Sequence, residues 1–146
     1  MSLNTSDYNK DGVRPVNVAI SPIYSDLDLR LFRTGTNDIS PLTDINAVKN
    51  AVKNLVLTNF NDRPYQPQLG SNVRALLFEP ANAFTAYAIK EEIGRVLEEY
   101  EPRINKVVVD VTANLDSNEF LVTIQFNILT IVNSNVEVSF YLSRLR

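Results

Sequence analysis

From Asp44 onward, the apolar residues of this chain change their spacing once, at Pro102. Between Asp44 and Tyr100 they recur every three or four residues, the repeat of a helix that buries one face; after Pro102 they recur every second residue, the repeat of a strand with one buried side. Proline enforces the change, because it removes a backbone donor and crowds the preceding turn. Helices gathered in one stretch and strands in the next specify an α+β domain.

Three helices are expected. Ile45, Val48, Val52, Leu55 and Val56 form one apolar stripe to about Thr58, with Thr43 or Asp44 as the cap that accepts from the unpaired N–H groups of the first turn. A short helix follows from Asn72 to Phe78, capped by Ser71 and stopped by Pro80. The longest spans Asn82 to Tyr100, where Ile89, Ile93, Val96, Leu97 and Tyr100 share a face and Gly94 weakens the helix slightly. Beyond Pro102, Val107, Val109 and Val111 oppose Val108, Asp110 and Thr112; Asn114 to Asn118 is a turn; Phe120, Val122, Ile124, Phe126 and Ile128 alternate with Leu121, Thr123, Gln125, Asn127 and Leu129. A turn at Asn133-Ser134-Asn135 leads into Val136, Val138, Phe140 and Leu142. These strands form a three-stranded antiparallel meander packed against the helices. Upstream, residues 1–25 read as an extended arm, Asp26 to Arg33 as an N-terminal strand with Leu27, Leu29 and Leu31 on its buried side, and Gly35 to Pro41 as a loop. Residues 26–146 are thus expected to form a single α+β domain.

Composition narrows the chemistry. A chain of 146 residues with 45% hydrophobic and 21% charged residues is sized for one folded domain. Fourteen Lys and Arg against 17 Asp and Glu give a net charge of -3, which offers no bulk positive field for nucleic acid. With no Cys and no His, thiolate nucleophiles, imidazole bases and the corresponding metal sites are excluded. No stretch approaches the roughly 20 apolar residues of a membrane span, and the N-terminus has no signal-peptide pattern, so a soluble protein without membrane partners is expected. Asn4-Thr5-Ser6 is then a chance sequon. Asp7 to Gly12 imitates the first half of a calcium loop, but the twelfth position is Val18 where a bidentate Glu belongs. The four glycines stand at 12, 35, 70 and 94, too scattered for a phosphate-cradling loop. No catalytic, cofactor or metal residue is nominated.

Among the remaining candidates, Glu91, Glu92, Glu98 and Glu99 lie off the apolar stripe, where a solvated helix face explains them better than an acid and nucleophile pair. The segment Asn61 to Ser71 is a stiff connection punctuated by Pro64 and Pro67, with Tyr65 and Leu69 as anchors if it serves recognition. Glu101-Pro102-Arg103 sets opposite charges around a proline; by default this is an exposed ion pair worth ~0 to 1 kcal/mol, and a partner that dries it turns it into a directional docking element. The last strand is a candidate sheet edge, able to receive a strand from another chain.

Arg63-Pro64, Leu69-Gly70-Ser71, Leu76-Leu77-Phe78-Glu79-Pro80 and Tyr100-Glu101-Pro102-Arg103-Ile104, in that order and spacing, resemble the small baseplate wedge proteins of contractile phage tails, which have relatives in type VI secretion baseplates. The likeness covers about residues 20 to 146. It implies a structural virion subunit made in the host cytoplasm, present in multiple copies within a six-fold baseplate, with other baseplate wedge proteins and the tail sheath protein as partners and no cofactor. It further implies wedge-core docking through Glu101, Pro102 and Arg103, and a sheath-facing strand region at Val136, Val138 and Phe140. The lysozyme-like label sometimes attached to the family is not carried over. The alternatives are a carboxylate-dependent glycoside hydrolase and a small adaptor outside any tail.

Overall fold

The computed structural model describes residues 22–28, 39, 41–115, 117–131 and 134–143. Most of the expected arm, the Asp7–Gly12 segment, Leu29 to Arg33, and all but Ile39 and Pro41 of the loop from Gly35 lie outside the described residues. Elements run in the order β1 (Ser25–Leu27), β2 (Pro41–Thr43), α1 (Asp44–Leu57), α2 (Val73–Leu76), α3 (Ala83–Tyr100), β3 (Ile104–Asn114), β4 (Glu119–Ile128) and β5 (Asn135–Ser143). The last three form an antiparallel sheet in the order β3-β4-β5, and β1 pairs with β2. The α+β expectation of helices followed by a meander is met.

The core lies between the helices and one face of the meander. Val48, Val52 and Val56 of α1, Ile89, Ile93, Val96 and Leu97 of α3, and Phe120, Val122, Ile124, Phe126 and Ile128 of β4 are all buried, as the two periodicities require. Ile45 departs from the stripe and is exposed. β4, the central strand, buries every second side chain along its whole length. The opposite sheet face is polar, with Gln125 Nε2 donating to Glu137 Oε2 at 3.1 Å.

Helix ends are built in three ways. Asn82 caps α3 in the expected manner, its Oδ1 accepting from Thr85 N at 2.8 Å, worth ~1 kcal/mol. At α1, Thr43 occupies the cap position without a side-chain bond, and Asp44 turns its carboxylate back onto the upstream chain, accepting from Ile23 N at 2.9 Å and Tyr24 N at 3.3 Å. The expected cap is thereby replaced by a tie to the preceding segment. Ser71 is fully buried: its Oγ donates to Val56 O at 2.7 Å, tying α2 to the end of α1, and accepts only a long 3.4 Å bond from Val73 N. α2 is also shorter than expected, since Leu77 and Phe78 continue as turns before Pro80.

Two strands differ from their sequence pattern. The expected burial of Leu27 is reversed: Leu27 is 61% exposed whereas Asp28 is buried. The cause is the polar row of α1, which draws the acidic side of β1 inward; Asn50 Nδ2 donates to Asp26 Oδ2 at 2.9 Å. β3 begins earlier than its alternation suggests and carries a bulge between Asn105 and Val108, with Lys106 at φ +50°. The extra residue shifts the phase, so that Ile104 and Val109, an odd number of positions apart, both reach the core.

Candidate docking site

Glu101, Pro102 and Arg103 stand where α3 passes into β3. Glu101 N still donates to Leu97 O at 3.1 Å, but φ -120° and ψ 78° take its backbone out of the helix, as a residue before proline must leave it. Ile104 N then donates to Glu101 O at 3.3 Å, and Leu129 N to Arg103 O at 3.0 Å, which joins the turn to the end of β4.

This geometry sets both side chains on one side of the proline. Arg103 Nε donates to Glu101 Oε1 at 2.5 Å and Nη2 donates to Oε2 at 2.7 Å, a bidentate, charge-assisted pair. Glu101 is only 5% exposed and the Arg103 side chain 34% exposed, so the default expectation of a solvated surface pair is corrected. Tyr24 lies beside the pair: the guanidinium carbon is 5.4 Å from the centre of its ring, while the Tyr24 hydroxyl bonds Thr130 Oγ1. The Glu101 hydrogen bond, partly opposed by burial, raises the Arg103 pKa further and keeps the group charged.

Neither Tyr24 nor Thr130 carried a signal in the sequence. Tyr24 sits in an aperiodic segment two residues after Pro22, and Thr130 in a strand-to-strand connection.

Val136, Val138 and Phe140 lie on β5, at the opposite edge of the sheet from β3. Val136 and Phe140 are buried and Val138 is partly buried, so their side chains belong to the core. What β5 leaves open among the described residues is its backbone edge. Beside it runs a groove of about 590 Å³, lined by Val138, Ser139, Leu42, Asp28 and the Asn and Lys row of α1 that includes Lys49 and Lys53.

The connection from Asn59 to Ser71 is tightly built. Asn61 N donates to Pro67 O at 2.9 Å and Tyr100 Oη to Gln68 O at 3.0 Å. Leu69 packs on the core, whereas Tyr65 is 98% exposed. Glu91, Glu98 and Glu99 are exposed, and Glu92 is held below the usual carboxylate range, chiefly by its bond to Arg95. A general acid needs the opposite shift. The groove between α3 and β3 and the groove beside β5 each have one carboxylate in their lining, Asp110 and Asp28 respectively.

Residues 43–134 match the family model described as baseplate wedge protein gp25. A curated relative, the baseplate wedge protein gp25 of Enterobacteria phage T4, is 29% identical over 110 residues, which cover 75% of this chain and 83% of that one. Among solved structures, a Geobacter sulfurreducens chain described as a tail-lysozyme candidate superimposes with a TM-score of 0.61 at 18% identity, covering 68% of this chain and 89% of that one. A chain of the type VI secretion baseplate complex gives 0.53 at 16% identity, covering 66% and 91%. A chain of the post-contraction pyocin R2 baseplate gives 0.50 at 20%, covering 82% and 98%. These structural likenesses establish the shared fold, and the matched span, running from the cap of α1 through β4, includes the buried Glu101–Arg103 pair: the chain belongs to the baseplate wedge protein gp25 family.

Proposed function

We propose that this protein is a non-enzymatic structural subunit of a contractile-tail baseplate wedge in the virion, which docks on other wedge proteins through Glu101, Pro102 and Arg103 and offers β5 to the tail sheath protein by strand addition. The domain comprises residues 26–146, with residues 1–25 as an arm whose Tyr24 and Ser25 already contact it. The observation that carries the docking role is the Glu101–Arg103 pair: a guanidinium locked in one plane by a buried carboxylate, yet one-third exposed, is oriented before any partner arrives. The β5 edge, open among the described residues, and its groove support the sheath role, since an incoming strand gains backbone bonds there and its register is set by alternate side chains. Several copies arranged around a six-fold baseplate would each make both contacts. A glycoside hydrolase reading draws no support from grooves that carry single carboxylates.

Cross-linking mass spectrometry on native particles tests this reading. The expected cross-links join Lys106, next to the docking element, to another wedge protein, and Lys49 or Lys53, beside β5, to a sheath protein. A chain recovered free of particles, or one with those lysines linked only within itself, contradicts it.

A further inference from the structure

The Arg103 guanidinium has five N–H groups, of which Nε–H and one Nη2–H are taken by Glu101. Among the described residues nothing accepts from Nη1 or from the second Nη2–H. The Arg103 guanidinium carbon also lies over the Tyr24 ring, 5.4 Å from its centre. What remains is the fork between Nη1 and Nη2, on a side chain that is 34% exposed. Tyr24 itself is fixed at three points: its N–H donates to Asp44 Oδ1, its carbonyl accepts from Asp44 N at 2.8 Å, and its hydroxyl bonds Thr130.

Charge decides what the fork prefers. Glu101 neutralises Arg103, and Asp26 is close enough for its negative charge to act on the same guanidinium, so the three groups together sum to -1. A further carboxylate or a phosphate would enter a neighbourhood that is already net negative. Neutral carbonyl oxygens meet no such opposition. Unpaired carbonyls, such as those that close the last turn of a helix, suit a guanidinium that is still short of acceptors.

We infer that Tyr24 is a positioning residue for docking, and that the surface it forms with Arg103 binds backbone carbonyl groups of the wedge partner, such as an exposed helix C-terminus. This rests on the proposed docking role of Arg103. Tyr24 acts in two ways: its ring fixes the guanidinium plane, and it shields the Glu101 pair from water, which strengthens that pair.

The test uses the full chain and the purified wedge protein identified by the Lys106 cross-link, with affinity measured by titration calorimetry. Tyr24→Leu should weaken binding about 3- to 30-fold, the range expected for loss of a cation–π contact, while Tyr24→Phe, which keeps the ring, stays within about threefold of the parent. Parent affinity should change less than about threefold between roughly 50 and 500 mM salt, because the acceptors are uncharged. The Arg103 Nε–H resonance reports positioning directly: slow exchange in the parent and Tyr24→Phe, fast exchange in Tyr24→Leu, at unfolding midpoints that show all three folded. Parent-like affinity of Tyr24→Leu alongside loss of binding in Arg103→Lys overturns the role of Tyr24 and leaves the docking reading standing. Parent-like binding by Arg103→Lys defeats the docking reading itself. A steep loss of parent affinity with salt overturns the carbonyl assignment in favour of a charged acceptor.

Discussion

Arg103 closes on Glu101 across a single intervening proline, two parallel bonds of 2.5 and 2.7 Å joining a one-third exposed guanidinium to a carboxylate that is 5% exposed. The pair therefore has two roles. It seals the seam where α3 becomes β3, and it holds a donor group in place at the surface. Removing Arg103 alone strands a buried carboxylate, at a cost below the ~3–5 kcal/mol of a fully dry pair because water reaches the guanidinium side. Single alanine substitutions thus mix folding with docking, and a substitution that removes both charges separates them.

Gly70 and Gly94 should respond to alanine with opposite signs. Gly70 has φ +143°, and a Cβ there would lie 2.7 Å from the Asn59 carbonyl carbon and oxygen, where Ser71 N bonds Thr58 O. Gly70→Ala should cost about 2–4 kcal/mol through backbone strain and displacement of the α1 end. A Cβ at Gly94 meets nothing within 4 Å, so Gly94→Ala should stabilise α3 by about 0.5–1 kcal/mol. Urea unfolding of both variants measures the difference.

Ser134 should matter more than its place in a turn implies. Its Oγ accepts from Ile128 N at 2.8 Å and donates to Ile128 O at 3.2 Å, satisfying both backbone groups of a buried residue at the end of β4. Ser134→Ala leaves both without this partner and should cost about 1–3 kcal/mol. Denaturant titration checks the loss, and hydrogen exchange at Ile128 locates it.

Glu92 gives the fold an acid-side dependence. It accepts from Arg95 at 2.9 Å and from Asn72 N at 2.8 Å, and the Arg95 bond is the largest cause of a pKa below its ordinary 4.5. A carboxyl whose folded pKa lies below its unfolded one stabilises the fold above the unfolded value, and that contribution is lost as pH falls through the folded one. Stability should therefore decline on acidification below about pH 4.5, and Glu92→Gln should remove part of that decline. Unfolding free energies measured from pH 3 to 7 on both proteins decide it; parallel curves would contradict the assignment.

The parts of this fold legible in the sequence are those where one face alone is buried. The stripe of α3 and the alternation of β4 follow from that condition, and the structure buries Ile89, Ile93, Phe120 and Phe126 accordingly. The β3 bulge was hidden because Val107, Val108 and Val109 are equally apolar, so the run carries no phase, and only pairing with β4 reveals the extra residue. Leucine alternation alone turns β1 inside out; against the Asn and Lys row of α1, the aspartates are the better inward face. Charge alone puts Glu101 at the surface, a rule that fails when a neighbouring guanidinium pairs with it bidentately and a ring from a remote segment packs beside that guanidinium. The docking triplet itself was visible as a motif. Its burial was not, since Tyr24 meets it only through the fold.

The most direct test of the central claim is incorporation of a charge-free variant, Glu101→Met with Arg103→Leu, into baseplate wedges. Replacing both partners of a buried pair with apolar residues of similar size is commonly close to neutral for stability, so the isolated protein should unfold within a few degrees of the parent. Co-sedimentation with the remaining wedge proteins should then show the parent incorporated and the folded variant excluded. A folded variant that assembles as well as the parent would contradict the account.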